Sequence, residues 1–108
     1  MTRNSALKSD SKSVAGVITG DITNSQSYSD DEFSDILATL RGSLTNYANL
    51  YGGDFDIYRG DAFQLVIKQS QHCMRTAVGV RLALKAHELS VDVRMSIAVG
   101  EVQFRPSE

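Results

Sequence analysis

Phe55-Asp56-Ile57-Tyr58-Arg59-Gly60-Asp61-Ala62-Phe63-Gln64-Leu65-Val66-Ile67-Lys68 is the stretch on which the fold turns. Two short runs, Phe55 to Arg59 and Ala62 to Lys68, face each other across Gly60-Asp61. A two-residue Gly/Asp connection between such runs predicts a tight β-hairpin. In the second run Phe63, Leu65 and Ile67 alternate with Gln64 and Val66, the period-two pattern of a sheet covered on one side.

On the N-terminal side of this hairpin a helix is announced by its cap. Ser29 is placed to act as N-cap, and Glu32, three residues on, to reach back and complete a capping box. Asp30 and Asp31 suit the positive end of the helix dipole. Phe33, Ile36, Leu37, Leu40, Leu44, Tyr47 and Ala48 then recur at three- and four-residue steps, which makes one apolar stripe. The helix is expected to end near Leu50, with Gly52-Gly53 giving its last turn backbone freedom. Ahead of it lie a polar loop, residues 21–28, and the apolar, β-branched run Val14 to Gly20, which reads as a buried strand.

On the C-terminal side Ser70 is the expected cap of a second helix reaching to about Glu88. Its Cys73, Met74, Ala77, Val78, Val80, Leu82, Ala83, Leu84 and Ala86 spread over a broad arc, which predicts a helix more buried than the first. A last strand follows from Asp92 to Val99, where Val93, Met95, Ile97 and Val99 alternate with Arg94, Ser96 and Ala98.

The order is β-α-β-β-α-β, an α+β, ferredoxin-like arrangement with an antiparallel sheet and both helices on one face. In that topology the end of the first strand and the tip of the middle hairpin lie at the same edge of the sheet. Asp21 and Asp61, distant in sequence, are therefore expected to converge. The 108 residues suffice for one domain, read as residues 14–108 behind a flexible polar arm of residues 1–13.

Composition removes several function classes. A formal net charge of −2 argues against broad binding to nucleic acid or to an anionic membrane, both of which need a basic face. No apolar run approaches the ~18 residues that span a bilayer, and the N-terminus lacks the hydrophobic centre of a secretory signal. A cytoplasmic protein is the expectation. One cysteine, Cys73, rules out an internal disulfide and a zinc-binding thiolate cluster, and reads as a core residue. His72 and His87 stand at opposite ends of the second helix, too far apart to share a metal as two histidines four residues apart can. Both read as surface or capping groups.

Two carboxylates at strand ends beside a polar loop suit a hard cation such as Mg²⁺ or Mn²⁺. Such an ion is commonly held by one or two carboxylates together with substrate phosphates. The Ile22 carbonyl could add a ligand, and amides of Thr23, Asn24 and Ser25 could donate to phosphate oxygens if the loop curls into a nest. Arg59 is the nearest cation and joins these three as a nucleotide-binding candidate. Taken singly, Asp21 also reads as a plain loop former and Asp61 as a turn residue; their convergence is what favours the cation. Arg94, Ser96, Gln64 and Thr19 share a sheet face and would line a dimer interface or a ligand cleft if no helix covers it.

Three segments carry a family resemblance: Gly20-Asp21-Ile22-Thr23-Asn24-Ser25, Arg59-Gly60-Asp61-Ala62-Phe63, and Val93-Arg94-Met95-Ser96-Ile97-Ala98-Val99-Gly100. In this order and at these spacings, over about Val14 to Phe104, the chain resembles the catalytic core of class III nucleotidyl cyclases. Within that superfamily Ile18-Thr19-Gly20-Asp21-Ile22 and Tyr58-Arg59-Gly60-Asp61-Ala62-Phe63-Gln64 look most similar to the bacterial SatD-like group. The resemblance implies that Asp21 and Asp61 hold Mg (or Mn), with Ile22 offering its main-chain carbonyl. It also implies a purine nucleoside triphosphate as ligand and a second copy of the chain as partner.

The departures from the family pattern are specific. Cyclases read the purine with a Lys or Glu on the first hairpin strand, where Phe55-Asp56-Ile57-Tyr58 offers only Asp56. Their transition-state Asn and Arg lie on a helix beyond the last strand read here. The expectation is a cyclase-like domain that binds a metal–nucleotide and is catalytically incomplete over these 108 residues. The alternative is a non-catalytic sensory, regulatory or dimerisation module with a degenerate cyclase fold. Gly52-Gly53-Asp54-Phe55 resembles part of the diguanylate cyclase signature, but it falls at a helix end, and Ala62 stands where those enzymes need an acid.

Overall fold

In the computed structural model, which describes residues 12–103, the chain runs through β1 (Lys12–Ile22), a 3-10 turn (Ser25–Ser27) and α1 (Asp30–Tyr51). The hairpin strands β2 (Gly53–Tyr58) and β3 (Ala62–Ile67) follow, then a second 3-10 turn (Ser70–His72), α2 (Cys73–Lys85) and β4 (Val93–Gln103). The sheet has four strands in the order β2-β3-β1-β4, every neighbouring pair antiparallel. This is the α+β, ferredoxin-like arrangement expected from the sequence. The expected N-terminal arm lies outside the described residues, except that Lys12 and Ser13 already belong to β1.

Local chemistry sets the helix ends. The Glu32 amide donates to Ser29 Oγ (3.1 Å) and the Ser29 amide donates to Glu32 Oε1 (2.9 Å), which is the predicted capping box. At the other end Gly52 takes a left-handed φ of 74° and donates its amide to the Ala48 carbonyl. Between them Ile36, Leu40, Leu44 and Ala48 of the expected stripe are buried, Phe33, Leu37 and Tyr47 are partly buried against the core, and Tyr51, beyond the expected end near Leu50, joins them.

The register of the sheet sorts its residues into two faces. Ile18, Ile22, Phe63, Leu65, Ile67 and Val93 pack with both helices in one core. The alternate residues Thr19 and Asp21 of β1, Ala62 and Gln64 of β3, and Arg94 and Ser96 of β4 project to the other side. Among the described residues, no helix covers that side. Burial in the helix-packed core pushes the Cys73 thiol up, which keeps it protonated and unreactive.

Three local expectations need correction. The hairpin loop is three residues long, Arg59, Gly60 and Asp61 between the paired Tyr58 and Ala62, not the two-residue Gly60-Asp61 connection, and Arg59 and Gly60 both take positive φ (53° and 82°). Asp61 is the last residue of that loop, directly before β3, and its carbonyl accepts the Ile22 amide at 3.0 Å. Second, α2 is shorter than expected and buries one side only: Cys73, Thr76, Ala77, Val80 and Leu84 are covered, whereas Met74, Val78 and Leu82 are exposed. A broad apolar arc states how much of a helix can be buried, not how much is.

Third, His87 is not a surface group. Its side chain is only 6% exposed. The Leu89 amide donates to Nδ1 (3.1 Å), which leaves Nε2 to carry the ring proton and donate to Asp35 Oδ2 at 2.7 Å. The ring thus ties the segment after α2 to α1. His72 instead stacks on Tyr51, ring centroids 4.2 Å apart.

Candidate metal and nucleotide site

Strand alternation puts Asp21 at the end of β1 on the open face. The register then places it in one cross-strand row with Ala62 of β3 on one side and Arg94 of β4 on the other. Asp61 immediately precedes Ala62, so the hairpin tip delivers the second carboxylate to the same end of the sheet. Both aspartates line one cavity of about 350 Å³, together with Thr19, Tyr58, Arg59, Arg94 and Ser96. Gly20 makes that close packing possible: a Cβ there would stand 2.6 Å from the Phe63 ring and 2.8 Å from the Arg94 carbonyl oxygen.

Each carboxylate already has a partner. Arg94 grips Asp21 with a two-pronged contact, Nε to Oδ1 at 3.1 Å and Nη2 to Oδ2 at 3.3 Å. Ser25 Oγ donates to Asp61 Oδ2 at 2.8 Å, fastening the loop after β1 to the hairpin. Arg59 holds its guanidinium 5.2 Å from the centre of the Tyr58 ring, a cation–π contact at the cavity wall. Two acids and two arginines among the lining residues give the cavity no net formal charge.

The remaining candidate residues fall around this centre in distinct ways. Ile22 has its side chain in the core, while its amide links β1 to the Asp61 carbonyl. The Thr23 amide donates to the Asp92 carbonyl (3.0 Å) and so is engaged within the fold. Asn24 adopts a left-handed φ of 57° and opens the 3-10 turn, its carbonyl accepting from Ser27. Ser25 meets the site through Asp61. Gln64 lies off the aspartate cavity, in a neighbouring groove with Asp54 and Asp56. Arg94 and Ser96 line the aspartate cavity itself. Sequence reasoning placed Arg94 on the right face but missed that it pairs with Asp21, and it missed Tyr58. The pairing could be found only from the β1–β4 register.

The donor set fits a hard divalent cation. Two carboxylates are the oxygen ligands Mg²⁺ and Mn²⁺ prefer, and each has acceptor capacity beyond its present bond. Among the described residues no third His, Cys, Asp or Glu joins them. Water or a ligand's own oxygens would have to complete six-fold coordination.

The same fold occurs in solved catalytic domains of class III nucleotidyl cyclases. The guanylyl cyclase Cya2 superposes with a TM-score of 0.65 at 16% identity, covering 83% of this chain and 55% of its own. The guanylate cyclase domain of RhGC from Catenaria anguillulae, solved in complex with GTP, gives 0.68 at 18% identity, with 85% and 59% covered. The adenylyl cyclase CyaB from P. aeruginosa gives 0.66 at 17%, with 83% and 57% covered. The chain thus has a nucleotidyl cyclase-like fold and spans a little over half the length of these structures. No family model matches the chain. Among curated proteins no relative is found. Among the described residues no helix is long and apolar enough to cross a membrane.

Proposed function

We propose that this segment binds a divalent cation, Mg²⁺ or Mn²⁺, together with a purine nucleoside triphosphate, with Asp21 and Asp61 as the cation's carboxylate ligands. The observation that carries this reading is the meeting of both aspartates, flanked by Arg59 and Arg94, in one cavity. Charge supports it. The cavity is formally neutral, so a divalent cation alone leaves it doubly positive, and a polyphosphate brings the anions that offset this. A structural neighbour solved with GTP, and another solved with ATPalphaS, point to the same class of ligand.

Within this reading the Ile22 carbonyl serves the cation, and Thr23, Asn24, Ser25 and Arg59 border the phosphates. Gln64 and Ser96 extend the cleft along the open sheet face toward a second copy of the chain. When bound, the cation supplies neutralisation of the phosphate charge; the side chains of this segment bind and orient. The wording around Asp21 and Asp61 favours kinship with the SatD-like group, and a cytoplasmic setting belongs to the same reading. The function proposed is binding, and turnover by these residues alone is not. A second reading, a non-catalytic regulatory or dimerisation module, is favoured by Asp56 standing where cyclases carry Lys or Glu, and by the Arg94–Asp21 pair.

Thermal unfolding separates the two. A ligand held at ten times its dissociation constant contributes about 1.4 kcal/mol, equivalent to several degrees for a domain of about 100 residues. Mg-GTP or Mg-ATP at millimolar concentration is expected to raise the wild-type melting temperature by that order. The paired substitution Asp21→Asn with Asp61→Asn is expected to remove the rise. An unmoved wild-type melting curve with either nucleotide leaves the second reading.

A further inference from the structure

Asp21 is engaged at both carboxylate oxygens by a side chain of the protein itself, at the point where the proposed cation must sit. We propose that Arg94 is a built-in competitor for Asp21, which makes the site poorly receptive to a free divalent cation and selective for a cation that arrives with a polyphosphate. The inference rests on the reading of Asp21 and Asp61 as cation ligands and adds how that site chooses its ligand.

The competition follows from the register. Asp21 and Arg94 are direct cross-strand partners in the antiparallel ladder that joins β1 to β4 along the whole of both strands. Their Cα atoms are therefore fixed opposite each other, and the fork–carboxylate contact at 3.1 and 3.3 Å is the natural rest position of the side chain. A cation approaching the same oxygens shares them with the guanidinium, and two positive charges at that separation repel. The pair is nonetheless half open to water: Asp21 is 40% exposed and Arg94 77%. Exposed pairs of this kind are weak, so the contact lowers cation affinity without abolishing it. The long, exposed arginine side chain can swing while its backbone stays in the ladder. A polyanion entering with the cation gives the guanidinium a replacement partner and removes the penalty.

Arg59 does not compete in this way. Its guanidinium lies over the Tyr58 ring, and it sits at the hairpin turn rather than across from Asp21.

The test is calorimetric titration of the 108-residue chain with Mn²⁺ alone, then with Mn²⁺ plus inorganic tripolyphosphate. For Mn²⁺ alone, Arg94→Gln is expected to bind roughly threefold to tenfold more tightly than wild type, from loss of the competitor and of the repulsion. Arg94→Lys, which keeps the charge but loses the fork, is expected to fall between the two. The gain in Arg94→Gln is expected to shrink in 1 M salt, where exposed charges are screened, and to vanish or reverse with tripolyphosphate. Circular dichroism of each variant checks that the exposed substitution leaves the fold intact. Equal Mn²⁺ affinity in wild type, Arg94→Gln and Arg94→Lys, with binding still lost in Asp21→Asn, overturns the competition and leaves the cation site standing. No Mn²⁺ binding in any of these proteins, with or without tripolyphosphate, overturns both.

Discussion

The two faces of the same sheet are built from alternate residues of the same strands, and they do different work. On β1, Ile18 and Ile22 are buried under the helices, while Thr19 and Asp21 between them look onto the open side. On β3, Phe63, Leu65 and Ile67 are fully covered, while Ala62 borders the aspartate cavity. One face supplies the apolar burial that stabilises the domain; the other holds charged groups whose pairs are too exposed to add much. A protein arranged this way can change its chemistry without endangering its fold.

Substitutions one residue apart should therefore behave oppositely, and the largest contrast is expected at Phe63. Truncation to Ala removes a fully buried ring and should cost about 3–5 kcal/mol, measured as the shift in the urea unfolding midpoint. A loss below about 1 kcal/mol would mean that the core does not depend on this face. Gly20→Ala comes next, because position 20 lies on the covered face against Phe63, directly beside Asp21 of the open face. The added methyl group runs into the Phe63 ring and the Arg94 carbonyl and should cost about 1–3 kcal/mol. It should weaken nucleotide binding as well, since moving β4 moves Arg94.

Asp21→Asn sharpens the contrast from the other side. Its exposed ion pair predicts a stability change under about 1 kcal/mol, while the melting shift produced by Mg-GTP should disappear. Stability and binding would then be separated across neighbouring positions of one strand. The smallest effect is expected at Arg59, which holds a left-handed φ of 53° that a side chain disfavours. Arg59→Gly relieves that conformation and should stabilise by up to about 1 kcal/mol in chemical unfolding, offset in part by the greater freedom of glycine in the unfolded chain.

What was legible in the sequence was what local chemistry decides. The Ser29–Glu32 capping box needs only residues three apart, and α1 formed with the predicted cap and stripe. The alternation of Phe63, Leu65 and Ile67 fixed a covered face of β3 without knowledge of its neighbours. The element order was enough to bring Asp21 and Asp61 to one end of the sheet. What was not legible depends on contacts between distant segments. Arg94 meets Asp21 across 73 positions, and only the β1–β4 register decides that. Ser25 reaches Asp61 across 36. His87, beyond the end of α2, is buried and donates a hydrogen bond to Asp35 of α1, 52 positions away. The hairpin loop is one residue longer than expected, with Arg59 drawn into it in a backbone conformation that its residue type argues against. The exposed side of α2 was not separated from its buried side because Met74, Val78 and Leu82 stand there beside Arg75, Arg81 and Lys85.

The decisive measurement is electron paramagnetic resonance of Mn²⁺ titrated into the protein with GTP present, in wild type and in the chain carrying both Asp21→Asn and Asp61→Asn. If the two carboxylates share a cation with the nucleotide, the signal of Mn²⁺ in solution falls further in wild type than in a protein-free Mn-GTP control, and the doubly substituted chain matches the control. Equal bound Mn²⁺ in both proteins, or none in either, would contradict it.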